Sequence, residues 1–82
     1  MKEGWLIDRD SRWVYRFHRD EKSWVRDPHV FIDHGRGMPD GEPALLKSRR
    51  HVRTEDARLM WKELIRSGWH PTGPIWGSAA EP

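Results

Sequence analysis

An α+β fold, a small antiparallel sheet of three or four strands with one amphipathic helix packed on it, is predicted by three observations. From Thr54 to Trp69, the residues Ala57, Met60, Trp61, Leu64, Ile65 and Gly68 fall at i, i+3, i+4, i+7, i+8 and i+11, which draws one apolar stripe along a helix. In Arg12 to Arg19, by contrast, Trp13, Tyr15 and Phe17 alternate with Val14, Arg16 and His18, the period of a strand with one aromatic face and one mostly wet face. Between the short apolar runs stand polar or Gly/Pro-rich clusters of turn composition, at 8–11, 20–23 and 35–43.

Taken in order, Gly4 to Asp8 reads as a first strand through Trp-Leu-Ile, and Asp8-Arg9-Asp10-Ser11 turns the chain into the alternating strand. Trp24-Val25 leads to Asp27-Pro28, where the proline holds its predecessor in extended or turn geometry. Val30-Phe31-Ile32 makes a third strand between His29 and His34, and Gly35 to Pro43 is a loop on composition. Ala44-Leu45-Leu46 forms a fourth extended segment running into Lys47-Ser48-Arg49-Arg50-His51-Val52-Arg53. Thr54 is placed to cap the helix, Glu55 and Asp56 suit the positive end of its dipole, and Gly68 supplies a left-handed C-terminal residue. Trp69 to Trp76 is extended and broken by prolines, and Ser78 to Pro82 forms a flexible tail after a single domain spanning 1–77.

A chain of 82 residues buries only about 60 to 65% of the surface its unfolded form exposes, so its core must be dense. There is no cysteine, hence no disulfide and no thiolate metal site, which suits a reducing, cytoplasmic setting. Six tryptophans compensate: Trp5, Trp13, Trp24, Trp61, Trp69 and Trp76 can each bury on the order of 200 Å². A mean hydropathy of -0.96 and the lack of a long apolar run argue against a membrane span, and Met-Lys-Glu-Gly-Trp at the N-terminus has no secretory apolar region. The net charge of +2 is unevenly spread: residues 1–42 hold eight Lys/Arg against nine Asp/Glu, and residues 43–82 hold seven against four.

Several stretches together carry a resemblance: Gly4-Trp5-Leu6, Phe31-Ile32-Asp33-His34-Gly35 with Met38-Pro39-Asp40-Gly41-Glu42-Pro43, Leu45-Leu46-Lys47-Ser48-Arg49-Arg50, and Ala57 with Trp61, Leu64, Gly68 and Trp69. In these the chain resembles a family of short proteins of marine picocyanobacteria, a domain of unknown function. The resemblance implies a source and a single-domain architecture, and brings no activity or site with it. In the N-terminal half the order Gly4-Trp5, Tyr15, His18, Trp24, Pro28 is similar to the WW domain, which would make Tyr15 and Trp24 a groove for a polyproline II ligand. The spacing departs from that family: Trp5 and Trp24 are too close, and Pro28 stands a residue too far from Trp24.

Two surfaces are candidates for function. Lys47, Arg49, Arg50 and Arg53 form a basic segment, and Arg58, Lys62 and Arg66 recur at i, i+4 and i+8 as a cationic stripe beside the apolar one. If segment and stripe share one side, these seven cations face an acidic protein or the phosphates of RNA or DNA, with His51 as an added donor or stacking ring; the plain alternative is a solvated surface balanced by Glu55, Asp56 and Glu63. Trp24, next to its turn, and Trp76, near the tail, are the aromatics expected to remain exposed for a protein interface, with a partner protein or a second copy. No catalytic residue, cofactor or metal is expected. Ser11, Ser23 and Ser48 lack a nucleophile's neighbours, Asp33 beside His34 is the one pair that could orient a base, and a chain this small has little room for a pocket of about 300 Å³ or more. His18, His29, His34, His51 and His70 are too scattered to converge on an ion, and Gly35-Arg36-Gly37 precedes no helix and is no phosphate loop. The expected function is therefore a non-catalytic binding module that docks on a protein through aromatic and arginine side chains, with nucleic-acid backbone binding as the alternative.

Overall fold

The computed structural model describes residues 3–39 and 44–77. Five strands, not three or four, form one antiparallel sheet: β1 (Gly4–Ile7), β2 (Val14–Arg19), β3 (His29–Arg36), β4 (Leu45–Arg53) and β5 (His70–Thr72), in the order β4-β3-β2-β1-β5. The added strand is β5, which pairs Trp5 with Thr72, Leu6 with Pro71 and Ile7 with His70. It lies in the stretch read as proline-broken; an edge position is where a strand tolerates a residue without an N–H.

The β1–β2 and β2–β3 hairpins are fixed by their turns. Asp8 accepts the Ser11 N–H on its backbone carbonyl (3.1 Å) and the Arg12 N–H on its carboxylate (2.8 Å), and Ser11 takes a φ of 56°. Asp20 holds the β2–β3 turn in the same manner: its carboxylate accepts the Lys22 N–H (2.9 Å), its carbonyl accepts the Ser23 hydroxyl (2.7 Å), and the Ser23 Oγ in turn accepts the His29 N–H (3.1 Å). β3 is longer than Val30 to Ile32 and takes in Gly35 and Arg36, which composition had assigned to the loop. Gly35 stands at an irregularity in the β3–β4 register, where a Cβ would collide with the Leu45 carbonyl. The rest of that loop, 40–43, and the tail, 78–82, lie outside the described residues.

The helix α1 (Thr54–Arg66) follows β4 with no loop between them. Thr54 does not cap it. Arg53 is the N-cap residue without a side-chain capping bond, and the Thr54 hydroxyl instead donates to the Pro28 carbonyl (3.0 Å), as does its N–H (3.0 Å). These bonds pin the start of α1 to the β2–β3 turn. At the other end Gly68 adopts φ 104°, its N–H reaching the Ile65 carbonyl (3.1 Å) and the Trp69 N–H the Leu64 carbonyl (3.0 Å), the paired bonds of a Schellman stop.

Two apolar layers result, one on each face of the sheet. On the helix side Leu6, Phe17, Val30, Ile32 and Ala57 are buried, and Tyr15, Val52, Met60, Trp61, Leu64 and Trp69 pack against them. The stripe read from the sequence thus meets the sheet, except that Ile65 is 40% exposed. On the other side Ile7, Val14 and Trp76 form a second cluster with Trp5, Ala44 and Leu46. The second face of β2 is therefore not simply wet: the segment after β5 lays Trp76 over Val14.

Candidate docking site

The seven cations do not gather on one side. Strand alternation sends Arg49 and Arg53 to the face away from α1, where Arg49 opposes Asp33 and Arg53 opposes His29 across the β3–β4 ladder. Arg50 points the other way, toward Met60 Sδ of the helix (3.5 Å). Lys47, beside the register irregularity, places its Nζ 4.7 Å from the Trp13 ring. Some of the charge is also matched locally, Arg53 by Asp27 (3.5 Å) and Arg66 by Glu63 (3.2 Å).

Arg49 is the most strongly engaged of the seven. Its Nε and Nη2 donate to the two oxygens of Asp33 (2.6 and 2.9 Å), and His18 Nε2–H donates to Oδ2 (2.8 Å). Asp33 is fully buried. Burial alone would raise its carboxyl, but the hydrogen bonds from Arg49 and His18 outweigh that and hold it below the ordinary carboxylate range. The same pairing raises the Arg49 guanidinium, which lies over Phe31 at 4.8 Å. This knot ties β2, β3 and β4 together on the face away from the helix. Asp33 and His34 point to opposite faces and form no acid–base pair, His34 stacking on Tyr15 at 4.3 Å. His29 and His51 stack on each other at 4.8 Å, His51 also bonding Asp20 (2.9 Å) and His29 the Asp27 carbonyl (2.7 Å). Among the described residues no three His, Asp or Glu side chains are placed to hold a metal ion.

The tryptophans divide differently from expectation. Trp24 is 66% exposed and its neighbour Val25 86%, on the turn that Asp20 and Ser23 brace. Trp76 is only 9% exposed and packs edge-on against Trp5 (4.7 Å), so it belongs to the second core cluster and offers no free ring. Tyr15, packed against His34 and Trp69 on the helix side, makes no groove with Trp24.

Beside α1 runs a trough of about 490 Å³, larger than the sequence led one to expect. Its helix wall is Arg58, Trp61 and Lys62; its sheet wall is Trp5, Pro71 and Thr72, with Glu3 at one end. Sharing Glu3 and Arg58 with it, a second hollow of about 320 Å³ is floored by Phe17 and Val30 and bounded by Val25, Pro28 and Arg19. Trp61 reaches across to Phe17, in edge contact at 5.1 Å, and over Gly4, so α1 covers Leu6, Phe17 and Val30, and the trough lies beyond that ring toward Pro71 and Thr72 of the β5 edge.

Comparison with known proteins adds one decisive match, over residues 3–76, to the family described as "Protein of unknown function (DUF1651)". The chain belongs to this family. No curated protein and no solved structure matches it. For this family member, then, function has to be read from its surfaces. Among its described residues no helix is long and apolar enough to cross a membrane.

Sequence reasoning found Trp24, Arg58 and Lys62 but not the trough that Arg58 and Lys62 wall, nor the Asp33 knot. The helical spacing of Arg58, Trp61, Lys62 and Ile65 at i, i+3, i+4 and i+7 was the available signal, since it places two cations and two apolar side chains on one flank.

Proposed function

We propose that this protein is a small non-catalytic binding module that docks a segment of another protein in the trough beside α1. The observation that carries this reading is the braced β2–β3 turn, which holds Trp24 and Val25 in solvent, Val25 lining an apolar hollow that shares Glu3 and Arg58 with the trough. An exposed tryptophan on a turn fixed by hydrogen bonds of Asp20, Ser23 and His29 is pre-organised, so it loses little freedom on binding. Exposed Trp24 and the arginine of the rim, Arg58, are of the residue types that protein interfaces favour at their anchors. The cysteine-free composition agrees with a reducing, cytoplasmic setting.

Nucleic-acid binding through Lys47, Arg49, Arg50, Arg53, Arg58, Lys62 and Arg66 receives less support, because these cations are divided between two faces and Arg49 is committed to Asp33. The two readings separate in a pull-down from a marine picocyanobacterial extract, with and without nuclease. The docking reading expects a retained protein that survives nuclease and is lost with Trp24→Ala or with Arg58→Ala/Lys62→Ala, while the thermal midpoint stays within a few degrees. Retention that nuclease abolishes, with a salt slope near -0.9 per contacted phosphate on duplex DNA, would favour the alternative.

A further inference from the structure

We infer that the free edge of β4 is a second interaction surface, which takes an extended segment of another protein whose Asp or Glu residues alternate with apolar or hydroxyl-bearing ones. It lies at the opposite edge of the sheet from the trough and does not rest on what the trough binds. The backbone is the first argument. The Thr54 N–H bonds the Pro28 carbonyl, and bonded pairs alternate with unbonded ones along an antiparallel ladder, so the backbones of Val52, Arg50 and Ser48 are turned to β3. His29, opposite Arg53, is turned the other way, its carbonyl accepting the Asp20 N–H. That leaves the N–H and C=O groups of Arg49, His51 and Arg53 aimed out of the sheet, where no described strand pairs with them.

The two edges of the sheet are guarded differently. β5 is three residues long with Pro71 at its centre, a poor template for pairing, whereas β4 runs for nine residues without a proline. What guards β4 is charge: Lys47, Arg49, Arg50 and Arg53, with no Asp or Glu from Leu45 to Arg53. These cations repel a second copy of the chain, since two β4 strands paired about a two-fold axis set the same cations against one another. They admit an acidic strand. The edge is also held in shape in the free chain, because Arg49 is bonded to Asp33, His51 to Asp20 and Arg53 to Asp27.

Side-chain placement sets the pattern of the incoming segment. Arg49, His51 and Arg53 project on the face away from α1, so the carboxylates of an added strand belong on that face, beside them. The helix side differs. There Val52 packs against the core and Arg50 lies against Met60. Asp56 and Glu63, one turn to either side of Met60, share its flank of α1 and repel further carboxylates on that side. Every second residue of the incoming strand is therefore uncharged.

The test follows amide exchange by NMR in the full chain, with a capped peptide of the same length as β4 in which Glu alternates with Val. The amides of Arg49, His51 and Arg53 are expected to exchange freely in the chain alone and to slow by about tenfold or more at saturating peptide, whereas those of Arg50 and Val52 are protected from the outset. Replacing each Glu by Lys should abolish binding, and regrouping the same residues as Glu-Glu-Val-Val should weaken it. Arg53→Gln, which removes one exposed cation, should weaken it roughly two- to fivefold at an unchanged thermal midpoint, and Trp24→Ala should leave it unaltered. A peptide that binds without slowing those three amides, or equally well when regrouped, is held by charge alone and overturns the inference, as does no binding at millimolar peptide or a preference for a single-stranded oligonucleotide. Loss of binding with Trp24→Ala places the contact at the docking site and overturns the edge proposal while leaving the docking reading standing. A dimer in sedimentation with the three amides already protected gives the edge to a second copy and overturns it as well.

Discussion

Replacing Asp33 removes the one charge that is wholly inside the fold among the described residues, and the cost follows from its contacts. Asp33→Val leaves an apolar side chain that suits a strand but deletes the acceptor of three short bonds, two from Arg49 and one from His18. Breaking a buried pair from one side costs about 3–5 kcal/mol. The Arg49 side chain is 28% exposed and regains part of its hydration, which brings the expectation to about 3 kcal/mol. For 82 residues, with roughly 0.05–0.15 kcal/mol of stability per residue, that is a quarter or more of the total. The thermal midpoint should drop by roughly 10–25 °C. Arg49→Met should cost a comparable amount, because it leaves a buried carboxylate held by His18 alone. The double variant removes both charges and should cost less than the sum of the two by about 2–3 kcal/mol. Urea unfolding followed by tryptophan fluorescence at pH 7 measures all four corners of the cycle. A loss under about 1 kcal/mol for Asp33→Val, or additivity within about 0.5 kcal/mol, would refute the claim that the knot binds three strands as a unit.

Further outcomes follow from the same geometry. Trp76→Ala should destabilise by about 3–5 kcal/mol, since the ring covers Ile7 and Val14, whereas Trp24→Ala should leave the thermal midpoint nearly unchanged; calorimetry on the two variants checks this. Gly35→Ala should cost about 1–3 kcal/mol in chemical denaturation, because β4 must shift to clear the new methyl from the Leu45 carbonyl. His34 is held below the ordinary histidine range, first by burial and then by Lys47. Its contribution to stability is therefore complete above about pH 6.5 and is lost as pH falls from there toward its folded value. The stability advantage of the parent over His34→Gln should shrink between about pH 7 and pH 5, and a constant difference would contradict that assignment. Asp33, also depressed, contributes fully above about pH 4 and loses its contribution at lower pH, so the parent should unfold in acid more steeply than Asp33→Val/Arg49→Met.

The helix and the β2 strand were legible because their periods are unmixed: Ala57, Met60, Trp61 and Leu64 on one stripe, Tyr15 and Phe17 on one face. Other elements carry no such pattern. β4 is an edge strand charged on both faces, so Lys47 to Arg53 gives no alternation to read, and its cations are what an edge uses to discourage stray pairing. β5 is too short, with a central proline, to announce itself. Trp76 looked like a tail residue because nothing local says that the chain crosses to the far side of the sheet. Ile65 read as core because a stripe does not reveal how wide a floor lies beneath it, and the trough was hidden for the same reason. The Asp33 knot depends on registers that align Asp33 with Arg49 on one side and set His18 diagonally across on the other. The family match at 3–76 bounds the domain without naming a ligand.

Hydrogen–deuterium exchange on the chain alone and with its captured partner tests the trough most directly. Protection is predicted in β1 and β5, along the Arg58–Lys62 flank of α1 and at Trp24 and Val25. Protection confined to the β4 edge from Leu45 to Arg53, with those segments unchanged, would contradict it.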